Sequence, residues 1–304
     1  MARKTVFIIF YCSILANTLF GHPDSLRSPN YKNRRLILGS SAVALTGGSL
    51  IYLSQAWYSQ YNTGKFHFFD DNAEWQQMDK VGHFFTTYQT GRLMMSAFKW
   101  AGASKKQQLF IGGATGFAYM TVIEVLDGLS SGWGFSWGDE LANTLGASTA
   151  ILQEAFWHEQ RIQFKFSYSQ SGLAKYNPSL LGDQPSTQVL KDYNGQTYWM
   201  SINPSAFLHS PGKFPRWLSV AIGYGGRGMI GATNNNRVVE DKQGHVLTFT
   251  RERRAYLSLD VDLTRIRTKS KFLKSVFSLV NVLKFPAPTL QFGKGGVKGY
   301  FIYY

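Results

Sequence analysis

Three short stretches of the sequence have the residue types and spacing for chemistry. Asp79-Lys80-x-x-His83 places an acid, a base and an imidazole within about one helical turn. Glu124-x-x-Asp127 pairs two carboxylates. Ser136-x-x-Asp139-x-x-x-Asn143-x-x-Gly146 adds a hydroxyl, a further carboxylate and an amide. At helical spacing Asp79 shares a face with His83, Glu124 with Asp127, and Asp139 with Asn143. Two chemistries would suit these residues. One is a divalent-metal site rich in carboxylates, with His83, Glu124, Asp127 and Asp139 as candidate ligands. The other is acid/base catalysis by His83 and a carboxylate of raised pKa, from the same candidates. A third reading is structural: a buried hydrogen-bond network that locks helices together.

Each residue alone has a modest explanation. Asp79 and Asp139 suit helix N-termini, where negative charge is favoured by roughly 0.3–1 kcal/mol. Ser136 with Asp139 fits an N-terminal cap. A histidine such as His83 is more often a satisfied buried group than a catalyst. Taken together, Asp79, Lys80, His83, Glu124, Asp127, Ser136, Asp139 and Asn143 exceed what capping needs, and the structural network is the first reading. No nucleophile elbow, zinc-protease motif, phosphate-binding loop or dinucleotide fingerprint supports a named reaction, so an enzyme is not the favoured class. No cofactor is evident beyond a possible divalent metal.

The elements that must position these residues are helices. Apolar and small residues mark segments near 79–101, 106–127 and 137–158, and a further apolar run at 36–57 is long enough to cross a bilayer. The segments are rich in Gly, Ala, Ser and Thr, the composition of close helix contacts, with Gly112, Gly113, Gly116 and Gly146 as the contact residues. If the last three run up, down and up with short connections, the start of the first, the end of the second and the start of the third meet. All three motifs lie at those ends, so one polar cluster is expected there. Glu124 and Asp127 fall in a last helical turn, where the dipole opposes them. Lys80, His83 or Arg92 would supply the compensating cation.

The chain of 304 residues is 44% hydrophobic and 15% aromatic, with only 16% charged residues. That charge content is low for a soluble protein, yet a mean hydropathy of −0.17 is too polar for a chain made mainly of membrane helices. The formal net charge of +14 has its basic residues crowded between Arg251 and Lys298. No nucleic-acid-binding motif accompanies them. Membrane lipid or lipopolysaccharide is the expected partner, nucleic acid is not, and a protein partner is left open.

The N-terminus reads as a secretory leader over 1–21: a basic start, an apolar run, and Gly21 before a polar stretch. The only cysteine, Cys12, lies in that run without a lipoprotein-type context. The mature chain would have neither disulfides nor thiol chemistry. Residues 22–35 read as a linker, 36–158 as the helical bundle and 159–304 as a β-rich region. Arg34, Arg35, Lys99, Lys105, Lys106, Arg161 and Lys165 would fall on one side of a bilayer. The positive-inside rule makes that side cytoplasmic, whereas a cleaved leader puts Arg34 outside. Placement in the periplasm or outer membrane resolves the conflict; the inner membrane is the alternative.

After residue 160 the period becomes two. "IQFKFSYS", "TYWMSI", "WLSVAIGYG" and "YLSLDVDLTR" alternate, the last with Leu257, Leu259, Val261 and Leu263 on one face and Ser258, Asp260 and Asp262 on the other. "LKSVFSLVNVLKF" (273–285) departs to helical spacing, "VEDKQGHV" carries a turn, and "KGYFIYY" closes as a strand. The fold class is α+β: an N-terminal four-helix membrane-type bundle, then a β-rich segment that is either barrel-like or a partial sheet on the helices. A closed membrane barrel needs about eight strands, more than the pattern supplies.

"DKVGHFFTTYQTGR" followed by "EVLDGLSSGWGFSWGDELANTLG" resembles the bacterial family of unknown function labelled predicted periplasmic lipoprotein (YfiM-like), over about residues 75–150. The whole chain looks like the longer, Bacteroidetes-type members. A looser likeness is to VanZ-type membrane proteins, which share the Asp-Lys-x-x-His helix start. The resemblance implies an exported envelope protein and no reaction. The alternative is an envelope hydrolase or transferase acting on lipid or glycan headgroups at the cluster.

Overall fold

A computed structural model describes residues 29–303 apart from 59, 60, 62, 209–213 and 242. The leader over 1–21, with Cys12, and the stretch 22–28 of the linker lie outside the described residues. The described chain contains helices α1 (Pro29–Tyr58), α2 (Met78–Trp100), α3 (Gly113–Gly128), α4 (Trp137–Phe156), α5 (Pro178–Leu181), α6 (Pro185–Lys191) and α7 (Lys271–Val280). Its strands are β1 (Ile162–Tyr168), β2 (Gln196–Ile202), β3 (Leu218–Arg227), β4 (Glu252–Val261), β5 (Ala287–Gly293) and β6 (Gly296–Tyr303). Contacts divide it into two units. The first comprises residues up to Asp71 with Thr86–His158, the second Asn72–Phe85 with Glu159–Tyr304. Helix α2 is continuous through the division.

In the helical unit, α1 begins at Pro29, so the basic stretch expected to link 22–35 is helical from there on. Proline suits the first turn of a helix, where its missing N–H has no partner to lose. The core joins Leu38, Ala42 and Leu50 of α1 to Phe98, Ala101 and Leu126. A π-turn over Gln107–Gly112 leads into α3. Small residues let backbones touch: a Cβ built on Gly116 would lie 2.4 Å from the Thr87 carbonyl oxygen, and one on Gly91 2.7 Å from that of Gly113. Any larger residue would force the helices apart.

The second unit is built on a six-stranded antiparallel meander in the order β1 to β6. It is not a closed barrel. Instead, Phe166 on the outer edge of β1 is bridged by Leu283, with the Phe166 amide donating to Val282 and the Lys284 amide to Phe166. The register carries a surprise. One set of cross-strand rows reads Phe164–Met200–Ile222–Leu257–Leu290 and Ile162–Ile202–Val220–Leu259. The opposite set holds Gln163, Lys165, Ser201, Ser258, Asp260, Thr289 and Gln291, and these polar side chains are the buried ones. The alternation seen in the sequence established two unlike faces; the structure buries the polar one. Lys165, counted above as a flanking surface charge, has a fully buried side chain 2.7 Å from Asp260.

Helix α7 ends at Val280, short of the 285 expected, because Asn281 turns inward to the polar network and residues 282–284 join the edge of β1. The turn in "VEDKQGHV" is present, with Glu240 bridged to Val246 and Gly244 at φ +84°.

Candidate functional site

The predicted site residues fall into two sets, one in each unit. In the helical unit, α3 ends and α4 begins around a buried carboxylate centre. Ser136 caps α4, its Oγ accepting from the Asp139 amide at 3.2 Å. The same hydroxyl donates to Asp71 Oδ1 at 2.6 Å, and the Ser136 amide donates to Glu124 Oε2 at 2.9 Å. Ser136 therefore ties together a loop, the end of α3 and the start of α4. Glu124 is 1% exposed and Asp139 3%, so these contacts form largely out of water, where a charge-assisted hydrogen bond is strong.

Asp127 is reached by the Tyr58 hydroxyl of α1 at 2.6 Å. Asn143 accepts from Thr87 of α2 at 3.1 Å and donates to Glu140 at 3.0 Å. Glu140 also accepts from Thr121 of α3 at 2.6 Å. Arg92 is buried, and its Nε donates to Gln89 at 2.9 Å. The centre thus spans α1, the later turns of α2, α3 and α4. Sequence reasoning missed Tyr58, Asp71, Thr87, Thr121 and Glu140. Hydroxyls on apolar helices carry no spacing signal that marks them as partners of distant acids, so the cations were credited with the whole task.

The loops at this end are fastened by backbone and by rings. Residues 64–69 pair with 128–135, through Gly64 to Leu129 at 2.8 Å and Phe135 to His67 at 3.0 Å. The glycine-rich turn is packed by aromatic rings: a Cβ on Gly128 would meet Phe66 at 2.4 Å and one on Gly132 would meet Tyr61 at 2.3 Å. Those glycines exist to let rings lie against backbone.

In the second unit, Asp79 and His83 stand one turn apart at the start of α2, His83 Nε2 being 3.9 Å from Asp79 Oδ1. Lys80 lies 3.7 Å from Asp79 Oδ2, and the Tyr193 hydroxyl donates to Asp79. Tyr198 packs beneath Gly82, Phe84 meets Phe164 edge-to-face, and Phe85 lies tilted against Phe166. The turn that aims these residues is unusual. Trp75, Gln76 and Gln77 have φ of 46°, 53° and 63°, the left-handed region that side chains disfavour by about 1–2 kcal/mol per residue. Tyr224 holds the turn by donating to the Gln76 carbonyl at 2.5 Å, and the Trp75 amide donates to Ala232 at 2.7 Å. Such strain persists only where its surroundings enforce it.

Residues 67–155 match the family whose model is described as Predicted periplasmic lipoprotein (DUF2279). The match contains every residue of the expected cluster, and it bears out the family resemblance of the Asp79, Glu124 and Ser136 motifs. The description is that of an exported envelope protein without a stated activity. It lends no support to the VanZ-type likeness or to the hydrolase or transferase alternative. No curated protein and no solved structure matches the chain.

Proposed function

We propose that the chain is a membrane-associated envelope protein in which the carboxylate centre locks the helices from within while their outer faces meet lipid. The observation that carries this is the distribution of polarity in the helical unit. Glu124, Asp139, Asn143, Ser136 and Thr87 are buried, whereas Trp137, Leu141, Leu145, Leu152 and Phe156 form an exposed stripe along α4. Water would favour the reverse arrangement, and lipid favours this one. Helix α1 and the segment Gln107–Gly128 are also long and apolar enough to cross a membrane.

Fractionation of cells expressing the full chain tests the reading. The protein should sediment with membranes and resist extraction at high salt. A Leu141→Glu/Leu145→Glu variant should shift into the soluble fraction while remaining folded. Wild type that is released by salt alone would overturn the proposal.

A second reading is favoured by one arrangement, the shared face of Asp79 and His83. A carboxylate and an imidazole one turn apart, 3.9 Å from each other, are two donors of the kind a divalent cation takes. Calorimetric titration with Zn²⁺ and Mn²⁺ tests it: binding lost in each of Asp79→Asn and His83→Ala supports the site. Titrations indistinguishable from wild type in both variants reject it.

A further inference from the structure

The sheet of the second unit is inside out, and nothing in the carboxylate centre accounts for that. Its interior is a continuous polar network. Lys165 Nζ contacts Asp260 at 2.7 Å with both side chains fully buried, and it donates to Val261 at 2.8 Å and Asn281 at 3.0 Å. Ser201 donates to Asp260 at 2.6 Å, Gln163 to Asp262 at 2.8 Å, and Lys284 to Leu259 at 2.7 Å. The opposite face is apolar in the rows Ile162–Ile202–Val220–Leu259 and Phe164–Met200–Ile222–Leu257–Leu290, and turns polar only towards Gln196 and Arg253 at one end. Over β1 and β2 it is covered by Phe84 and Phe85. Over β3 to β6, beyond Tyr224, no described residue covers it, and Val220, Ile222, Leu257, Leu259, Leu290 and Val297 are each between 38% and 62% exposed.

Between β4 and β5 in the chain stands α7, none of whose residues is fully buried. Phe272, Leu273, Leu279 and Val280 are exposed, while Lys271, Lys274, Ser275 and Ser278 supply a polar, basic side. A largely exposed amphipathic helix with lysines beside its apolar residues has the form of a membrane-surface helix. Residues 267–274 add Arg267 and Lys269 to those lysines, in a chain of net charge +14.

We infer that the bare face of β3 to β6, together with α7, lies against the surface of an anionic lipid bilayer. A polar interior with an apolar exterior is the pattern of a lipid-facing sheet. The sheet is open, and an open strand edge is not tolerated within hydrocarbon. The face therefore docks on the bilayer and does not span it. The apolar rows enter the interface and the lysines reach anionic headgroups. This inference rests on the membrane association proposed above but assigns it to a second, separate surface.

The experiment uses the full chain. With Cys12 replaced by serine, single cysteines at Leu257, Leu290 and, as an inward control, Ser258 are spin-labelled. They are read with and without vesicles of phosphatidylethanolamine and phosphatidylglycerol. Labels at 257 and 290 should lose access to a water-soluble relaxant and gain access to oxygen only with vesicles, while 258 stays unchanged. Lys271→Gln/Lys274→Gln should weaken binding to those vesicles roughly thirtyfold, from about 1 kcal/mol per lysine, and leave binding to phosphatidylcholine little altered. Labels at 257 and 290 that stay water-accessible on vesicle-bound protein would overturn the inference while leaving membrane association through the helical unit intact. Protection of 257 and 290 that appears without lipid and rises with protein concentration would also overturn it, because the face would then be covered by a second copy. If the α4 variant abolishes sedimentation while purified protein still protects 257 and 290 on vesicles, this docking surface stands independently.

Discussion

The helical unit and the sheet unit both turn polar groups inward and apolar groups outward, but they do so on different scales. In the helices the buried polar groups gather at one end, and the rest of the core is ordinary apolar packing through Leu38, Leu50, Phe98 and Leu126. In the sheet the polar groups fill most of the inner face, and apolar packing is grouped in patches around Trp199, around Trp75 and Met78, and where Phe84 and Phe85 meet Phe164 and Phe166. Helices satisfy their own backbones, so polar side chains in such a bundle are an addition that can be confined. A sheet shows every second residue to each face, so placing apolar residues on the outside commits the whole inner face to polar ones. The sheet should therefore depend far more heavily on its ion pairs than the bundle does.

The largest effect should come from breaking that dependence. Asp260→Ala removes the partner of Lys165 and faces Lys284, whose amine is 3.9 Å from Asp260. Two buried ammonium groups would be left poorly compensated, and unfolding free energy should fall by about 3–5 kcal/mol. Chemical denaturation followed by the tryptophan signal measures it. A loss below about 1 kcal/mol would mean that the polar interior is not the core of the sheet.

Lys284 provides the next test. Burial, partly offset by Asp260, pulls its amine down to about 8, whereas in the unfolded chain it titrates near 10.5. Between those values the unfolded state binds more protons, so the contribution of Lys284 to stability rises with pH. The shift corresponds to about 3 kcal/mol across the window. Stability of wild type relative to Lys284→Met should accordingly improve from pH 8 to pH 10. A flat difference would show that Lys284 is charged in both states.

How much of this was legible in the sequence differs between the units. The helices were, because Gly, Ala and apolar periodicity mark them, and the Ser136–Asp139 cap was readable from spacing alone. The strand positions were also legible in "IQFKFSYS" and "YLSLDVDLTR". Which face of the sheet is buried was not, since period two is the same whichever face looks inward. The partners of the carboxylates were not legible either. Tyr58 and Asp127 are far apart in sequence, and only the folded bundle makes them neighbours. The left-handed turn at Trp75 to Gln77 was hidden because none of its residues is the glycine or asparagine that normally signals one.

A smaller effect separates close packing from polar locking in the bundle. Gly116→Ala puts a Cβ 2.4 Å from the Thr87 carbonyl, so α2 and α3 must move apart, at a cost of about 1–3 kcal/mol. The same shift would lengthen the Thr87–Asn143 hydrogen bond. Comparing Gly116→Ala, Asn143→Ala and the double variant gives the coupling between them. A double variant less destabilised than the sum shows that packing and the polar centre act as one unit. Strict additivity would show that the centre is fastened independently of helix contact.

The smallest effect concerns the left-handed turn that leads into α2. Gln76 has φ 53°, a conformation that glycine adopts without the steric cost borne by other residues. Its carbonyl, which accepts from Tyr224, is unaffected by the side chain. Gln76→Gly relieves that strain but loses the side-chain amide's hydrogen bonds to the Glu252 backbone and adds entropy to the unfolded state, so stability should change by less than about 1 kcal/mol. Tyr224→Phe should destabilise the chain by about 1 kcal/mol through loss of its hydrogen bond to the Gln76 carbonyl. If the strain serves to aim Asp79 and His83, Gln76→Gly will leave stability nearly unchanged and yet weaken any divalent-cation binding measured by titration. If binding is unchanged, the turn is only the way the chain enters α2.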